Sequence, residues 1–345
     1  MNKIESGMKL DFNNVLIRPK RSTINSRSEV NLNRIFTFVN SKNTWMGTPI
    51  IAANMDTTGT FEVYDVLNEF TIITALHKFY TVEQIIYETS KRNMNPDLFM
   101  ISTGIGEGSI EKLKQIFNNI SCNWICIDIA NGYISNLVEF CSKIRELFPD
   151  KNIIAGNVVT REIVEELILN GKVDVVKIGI GPGAVCTTRI KTGVGMPQVS
   201  AIIECADAAH GVGGHIIGDG GVTCPGDMAK AFGAGADFVM GGSLFAGHDE
   251  NPGEIIEENG IKYKMFYGMS SQFAMEKHYG KMNSYRSSEG RKLKIKYKGM
   301  LKNTVLDYLG GIRSTCTYIN APSIKEMAKC TTFVQVSQQV NTSLL

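Results

Sequence analysis

Residues 152–180 read NIIAGNVVTREIVEELILNGKVDVVKIGI. Two short apolar runs, Asn152–Val158 and Val173–Ile180, enclose a segment, Thr160–Leu169, with apolar residues at helical spacing. Runs this apolar, with little alternation, suit strands buried on both faces, as in a parallel sheet crossed over by helices. Thr160, followed by Glu162 and Ile163, has the form of a helix start with its hydroxyl oxygen available to the first free amides. The same unit repeats in both directions. Apolar runs recur at Pro49–Asp56, Thr71–Leu76, Phe99–Gly104, Trp124–Ala130, His215–Gly221 and Asp237–Leu244, with helical patterns at Thr81–Arg92, Tyr133–Leu147 and Gln198–Ala209. Eight such runs alternating with helices predict a closed (β/α)₈ barrel, a fold that reaches this length as one domain over 1–345. A doubly wound sheet is the alternative, but it rarely uses eight evenly spaced strands.

Composition agrees. Of 345 residues 43% are hydrophobic and 20% charged, which suits a large buried core. The net charge of +2 leaves no electrostatic footprint for nucleic acid, so an anionic partner should be small and locally bound. No apolar run reaches the roughly 20 residues that span a bilayer. Eight cysteines without C-x-x-C spacing, behind a polar N-terminus, read as free thiols in the cytoplasm. Two segments fall outside the repeat, an N-terminal extension (1–48) and an insertion of about 246–299 after the eighth strand. On the active face of a barrel such an insertion reads as a flap, mobile until ligands arrive.

Functional groups of this fold gather at the C-terminal ends of its strands. The sixth run leads into Gly179-Ile180-Gly181-Pro182-Gly183-Ala184-Val185-Cys186-Thr187-Thr188-Arg189, a glycine-rich turn followed by a cysteine among hydroxyl residues. A thiolate attacks electron-poor carbon well, so Cys186 is the candidate nucleophile, with Thr188 or another loop as proton relay. Cys122, Cys126, Cys141, Cys205 and Cys330 lie in predicted elements and read as buried filler; Cys224 and Cys316 are placed near loops. Runs seven and eight end in Gly218-Asp219-Gly220-Gly221 and Gly241-Gly242-Ser243, where these barrels often hold a phosphate, with Asp219 set to receive ribose hydroxyls. Lys78, after run two, is a cation for a phosphate. Glu289, on the insertion, is either a solvated surface residue, the commoner fate of a loop glutamate, or an acid or base that acts only once a lid closes. His210, His215, His248 and His278 show no metal-ligand spacing and read as structural or surface residues.

Taken together, the cysteine loop, Ala53-Asn54-Met55-Asp56, Asp219-Gly220-Gly221 and Gly268-Met269-Ser270 resemble the family of IMP dehydrogenases and GMP reductases, over nearly the whole chain. Two features favour the reductase branch. His77-Lys78 passes straight into the next helix where dehydrogenases usually insert regulatory modules, and no Arg-Tyr step follows on the flap between Gly268 and Gly299. The resemblance implies that Cys186 adds to C2 of GMP, that Thr188 and Glu289 handle the protons of departing ammonia, and that NADPH reduces the thioimidate to IMP. It implies substrate contacts from Asp219, Gly220, Gly221, Gly242, Ser243, Gly268, Met269, Ser270, Arg286, Ser288 and Gly290. For NADPH it implies Ser26, Arg27, Lys78, Asp128, Ile129, Ala130, Ile180, Gly181, Met269, Tyr285, Arg286, Ser314, Thr315, Cys316 and Thr317. Potassium would sit at Gly181, Gly183, Cys186 and Arg189, in a homotetramer. Ala184 and Gly241-Gly242-Ser243 depart from the usual reductase pattern and bear on phosphate contacts. The rival readings are a compact IMP dehydrogenase and a purine-nucleotide-binding barrel without catalysis.

Overall fold

The computed structural model describes residues 4–280 and 287–337. Its centre is a closed barrel of eight parallel strands: β1 (Ile50–Ala52), β2 (Ile73–Leu76), β3 (Phe99–Thr103), β4 (Trp124–Asp128), β5 (Asn152–Val158), β6 (Val175–Ile178), β7 (His215–Asp219) and β8 (Phe238–Gly241). Neighbours in sequence are neighbours in space, and β8 closes on β1 with Val239 opposite Ile50 and Gly241 opposite Ala52. All eight strands lie within the apolar runs read from the sequence.

Helices α1 (Phe61–Leu67), α2 (Val82–Arg92), α3 (Ser109–Phe117), α4 (Ser135–Leu147), α5 (Arg161–Leu169), α6 (Gln198–Gly211), α7 (Pro225–Gly233) and α8 (Leu301–Ile319) form the outer ring. Thr81 caps α2 through a reciprocal bond with Gln84. Thr160 does precede α5, but its hydroxyl makes no cap: Tyr133 Oη lies 3.2 Å away and takes it instead. A tertiary partner has displaced the local one.

The N-terminal extension is more structured than its sequence suggests. A hairpin, Arg34–Thr37 with Thr44–Gly47, carries Phe36, Phe38 and Trp45 under the N-terminal end of the barrel. There Phe36 stacks on Phe238 at 4.4 Å, and Trp45 and Phe38 meet Trp124 edge-on at 6.1 and 5.3 Å. These large rings bury their faces and seal that end. His210 and His215 converge on Asp237 at the same end, within metal-ligand reach of one another. Arg34 already holds one Asp237 oxygen at 2.7 Å, and His210 with the Ile216 amide holds the other. Burial alone would raise this carboxyl, yet the histidine bonds and the Arg34 charge outweigh it and hold it far below the carboxylate range. The cluster therefore ties the hairpin to the barrel.

At the opposite end the insertion forms a three-stranded sheet (Ile256–Glu258, Ile261–Tyr267 and Lys292–Lys296) and a flap helix (Gln272–Tyr279). Its two ends meet: His248 pairs with Gly299, Asp249 N donates to Gly299 O at 3.0 Å, and Lys298 N to Gly247 O at 2.8 Å. Among the described residues no helix is long and apolar enough to cross a membrane.

Candidate active site

The mouth of the barrel is floored by the C-terminal ends of its strands. The loop after β6 turns through Gly181, whose positive φ of 85° favours glycine, and brings Cys186 to the start of a short helix, Thr188–Thr192. Cys186 Sγ lies 3.2 Å from Thr188 Oγ1, which donates to Glu289 Oε2 at 2.7 Å. Thiol, hydroxyl and carboxylate thus form one hydrogen-bonded chain, although its ends, Cys186 and Glu289, lie 103 positions apart in the sequence.

Main-chain pairing delivers Glu289. Thr187 N donates to Glu289 O at 2.9 Å and Arg291 N to Val185 O at 2.9 Å, so Cys186 and Gly290 face each other as an antiparallel bridge. On its other side Glu289 N donates to Ser270 O, and Ser288 Oγ accepts from Gln272 N. Space is minimal. A Cβ on Gly290 would lie 2.8 Å from Ser271 N, and one on Gly268 3.1 Å from Val185 O. Only glycine lets these three backbones approach. Arg291 adds a clamp, donating Nε and Nη2 to the carbonyl of Ala184 at 3.1 and 2.9 Å.

The flap helix is anchored below by Asp56, on the loop after β1. This carboxylate is almost wholly buried, and its Oδ2 accepts from Tyr267 Oη (2.8 Å), Lys277 Nζ (2.8 Å) and His278 Nε2 (2.7 Å). Burial raises the Asp56 carboxyl, but bonds from Lys277, Tyr267 and His278 prevail and lower it. His278 also stacks on Phe79 at 3.6 Å, and Asp56 N points at Met269 Sδ. None of this was visible in the sequence, where His278 is one of five unremarkable histidines.

Asp219, ending β7, accepts from Asn157 Nδ2 at 2.8 Å, and its main-chain carbonyl accepts from Gln198 Nε2 at 3.1 Å. Lys177, buried in β6, lies 3.3 Å from Asp219 and 2.5 Å from Asp128. Sequence reasoning passed over Lys177, Asn157 and Gln198 because a single lysine in an apolar run carries no motif. Beside Asp219, the amides of Gly221, Gly242 and Ser243 meet no acceptor among the described residues, while that of Gly220 is taken by Met240 O. These free donors suit an anion.

The residues expected around the nicotinamide cofactor divide into two groups. Lys78, Asp128, Ile129, Ala130, Ile180, Gly181 and Met269 border the mouth. Lys78 reaches over the strand-three loop, with Nζ 3.8 Å from where a Gly104 Cβ would stand, and meets no carboxylate among the described residues. Ser26, Arg27, Ser314, Thr315 and Thr317 lie on the outer wall, where the 3₁₀ turn at Arg27–Glu29 packs against α8 and Arg313 Nη1 reaches the Arg27 carbonyl. The α8 hydroxyls bond back to carbonyls of their own helix. Cys316 lies in the last turn of α8, just before the loop at Asn320, but its side chain is fully buried in the core. Tyr285 and Arg286 lie outside the described residues. Of the expected potassium ligands, Gly183 O accepts from Cys186 N and Arg189 O from Gly193 N, while the Arg189 guanidinium is engaged by Asp11 at 3.1 Å.

All eight cysteines are free thiols. Burial pushes Cys122, Cys126, Cys141, Cys205 and Cys316 up to about 12, which keeps them protonated and inert. Cys186 is half-exposed at the mouth.

Comparison with known proteins finds relatives along the whole chain. The IMP dehydrogenase / GMP reductase domain matches residues 9–342. GMP reductase 2 of Homo sapiens is 56% identical over 345 residues, covering 99% of this chain and 98% of its own. GMP reductase 1 of Mus musculus is 54% identical over 345 residues, covering 99% of both chains. A GMP reductase of Escherichia coli is 56% identical over 343 residues, covering 98% of both. The chain belongs to the IMP dehydrogenase / GMP reductase family.

Proposed function

We propose that this protein reductively deaminates GMP to IMP and ammonia with NADPH, as a GMP reductase of purine salvage. The observation that carries the reading is the hydrogen-bonded chain Cys186–Thr188–Glu289 at the barrel mouth. Its relatives named GMP reductase, matched end to end, support the same choice.

In this reading Asp219 receives the ribose hydroxyls, and the free amides of Gly221, Gly242 and Ser243 receive the phosphate. Gly220, Gly268, Met269, Ser270, Arg286, Ser288 and Gly290 complete the nucleotide pocket. The Cys186 sulfur bonds to C2, and the thiol proton passes through Thr188 to Glu289. That proton, and a second from solvent, leave with the amine as ammonium. The nucleotide stays on the enzyme as a thioimidate, so a poor displacement becomes two accessible steps. NADPH, when bound, supplies the hydride that takes the amine's place at C2. Re-forming the C2–N3 double bond expels the Cys186 thiolate and frees IMP.

Lys78, a cation without a carboxylate partner among the described residues, fits a cofactor phosphate. Arg27 and the hydroxyls of α8 belong to a different wall of the barrel. A homotetramer, in which a neighbouring protomer presents that wall to the mouth, would unite them around one cofactor. Carbonyls of Gly181, Gly183, Cys186 and Arg189 would hold potassium. Eight free thiols suit the cytosol.

The test offers purified protein GMP with NADPH, and separately IMP with NAD. Loss of NADPH with release of ammonia is expected. NADH formation from IMP overturns the reading in favour of a dehydrogenase, and binding without turnover in favour of a non-catalytic barrel.

A further inference from the structure

Lys177 is the one residue of β6 that breaks its apolar run, and it is 2% exposed. Its side chain passes a gap left by Gly156 on β5, where a Cβ would stand 2.6 Å from the Lys177 Cβ and 2.7 Å from its carbonyl. The ammonium then lies between two carboxylates that end strands on either side, Asp128 of β4 at 2.5 Å and Asp219 of β7 at 3.3 Å. Both carboxylates are partly exposed at the mouth. Asn157 ties Asp219 to the Gly179 carbonyl, so through Lys177 the two acids belong to one continuous polar floor. Burial opposes the charge on Lys177, but Asp128 and Asp219 more than offset it and raise its pKa well above the lysine range.

A buried ammonium has three donors to satisfy, and a single carboxylate can neutralise its charge. This one has two, and they serve different ligands in the functional reading above, Asp219 the nucleotide ribose and Asp128 the cofactor. We propose that Lys177 is a positioning residue that couples the two half-sites: its ammonium group, shared between Asp219 and Asp128, transmits occupancy of one half to the other. When ribose hydroxyls donate to Asp219, they replace part of its bond to Lys177, and the ammonium settles on Asp128. That fixes the Asp128 carboxylate before the cofactor arrives. Coupling of this kind is reciprocal, so cofactor binding strengthens GMP binding by the same factor. The inference rests on the proposed assignment of Asp219 and Asp128 to their ligands.

The test uses the full chain carrying Cys186→Ala, in which GMP and NADPH bind without reacting. Calorimetry measures NADPH affinity with and without saturating GMP. The expected coupling factor in this parent is about five-fold or more, falling to near one on adding Lys177→Met and returning in part with Lys177→Arg. If both affinities fall in Lys177→Met while their coupling survives, Lys177 is merely structural and the inference is overturned. Should Lys177→Met fail to fold, Asp128→Asn provides the second arm. It leaves the ammonium to Asp219 alone, where it competes with the ribose hydroxyls, so GMP affinity measured without cofactor should fall by about five-fold or more. Unchanged GMP affinity overturns the coupling. A parent that binds neither ligand overturns the functional reading itself, and the coupling with it.

Discussion

Replacing Asp56 by Asn should release the flap helix while leaving the barrel folded. The carboxylate oxygen Oδ2 collects three donors, from Tyr267, Lys277 and His278, in a nearly dry site. Hydrogen bonds to a charged group contribute about 1.5–3 kcal/mol, roughly twice neutral ones. Neutralising the acceptor therefore removes about 1 kcal/mol at each of Tyr267 and His278. Lys277 is half-exposed and water screens it, so its share is about 0.5 kcal/mol. The other oxygen, Oδ1, is buried without a partner, and an amide there stays unsatisfied. Because that oxygen is already unpaired in the parent, only about 0.5 kcal/mol more is allowed for the amide's extra buried donors; the docked state loses about 3 kcal/mol, or roughly 100-fold in the docked-to-undocked ratio. Hydrogen exchange reads this directly. Amides of Gln272–Tyr279 should exchange roughly 100-fold faster than in the parent, while those of β3 to β6 keep their protection. Acid should act the same way. The folded Asp56 pKa is depressed, so its contribution is complete above the ordinary carboxylate pKa, about 4, and fades as pH falls through the lower folded value. Flap exchange that stays at parent rates, or rises only together with the barrel, would refute the latch.

Four further outcomes follow from the geometry. Cys186→Ala should abolish turnover and keep GMP binding, and mass spectrometry after brief turnover of the parent should find nucleotide attached to Cys186. Glu289→Gln and Thr188→Val should each lower kcat by about 10²- to 10⁴-fold with GMP affinity nearly unchanged, read in steady-state kinetics and calorimetry. Gly290→Ala places a Cβ against Ser271 N and should cost about 1–3 kcal/mol of flap docking, seen as faster proteolysis within residues 260–299. Trp45→Ala empties the aromatic seal and should cost about 3–5 kcal/mol in denaturant unfolding with kcat per folded molecule unchanged.

The barrel was legible because its strands are buried on both faces, and such strands appear as apolar runs without alternation. Their order needed no further information, since each strand pairs with the next. The cysteine loop was legible for a different reason: glycine turns and a flanked thiol are local signals. What stayed hidden depends on partners far away in sequence. Nothing near Asp56 announces Lys277 and His278, some 220 residues on. Lys177 looks like a flaw in its strand until Asp128 and Asp219 close around it. Thr160 has the residues of a cap, yet Tyr133 reaches its hydroxyl first. Cys316 does sit beside a loop, in the last turn of α8, but only the fold shows that its thiol turns into the core; α8 runs through Gly310 and Gly311, and Gly311 lets it approach Pro225.

The paired neck at His248 and Gly299 bears on how this architecture diversifies. Because the insertion leaves and re-enters the scaffold at adjacent points, its length has little bearing on the rest of the chain. A graft from another member of the family need only match that junction, the Asp56 anchor and the seam beside Cys186. Divergence between branches then becomes a matter of transplanting about fifty residues, with Cys186 and the strand-end loops of Asp219 and Ser243 inherited from the barrel.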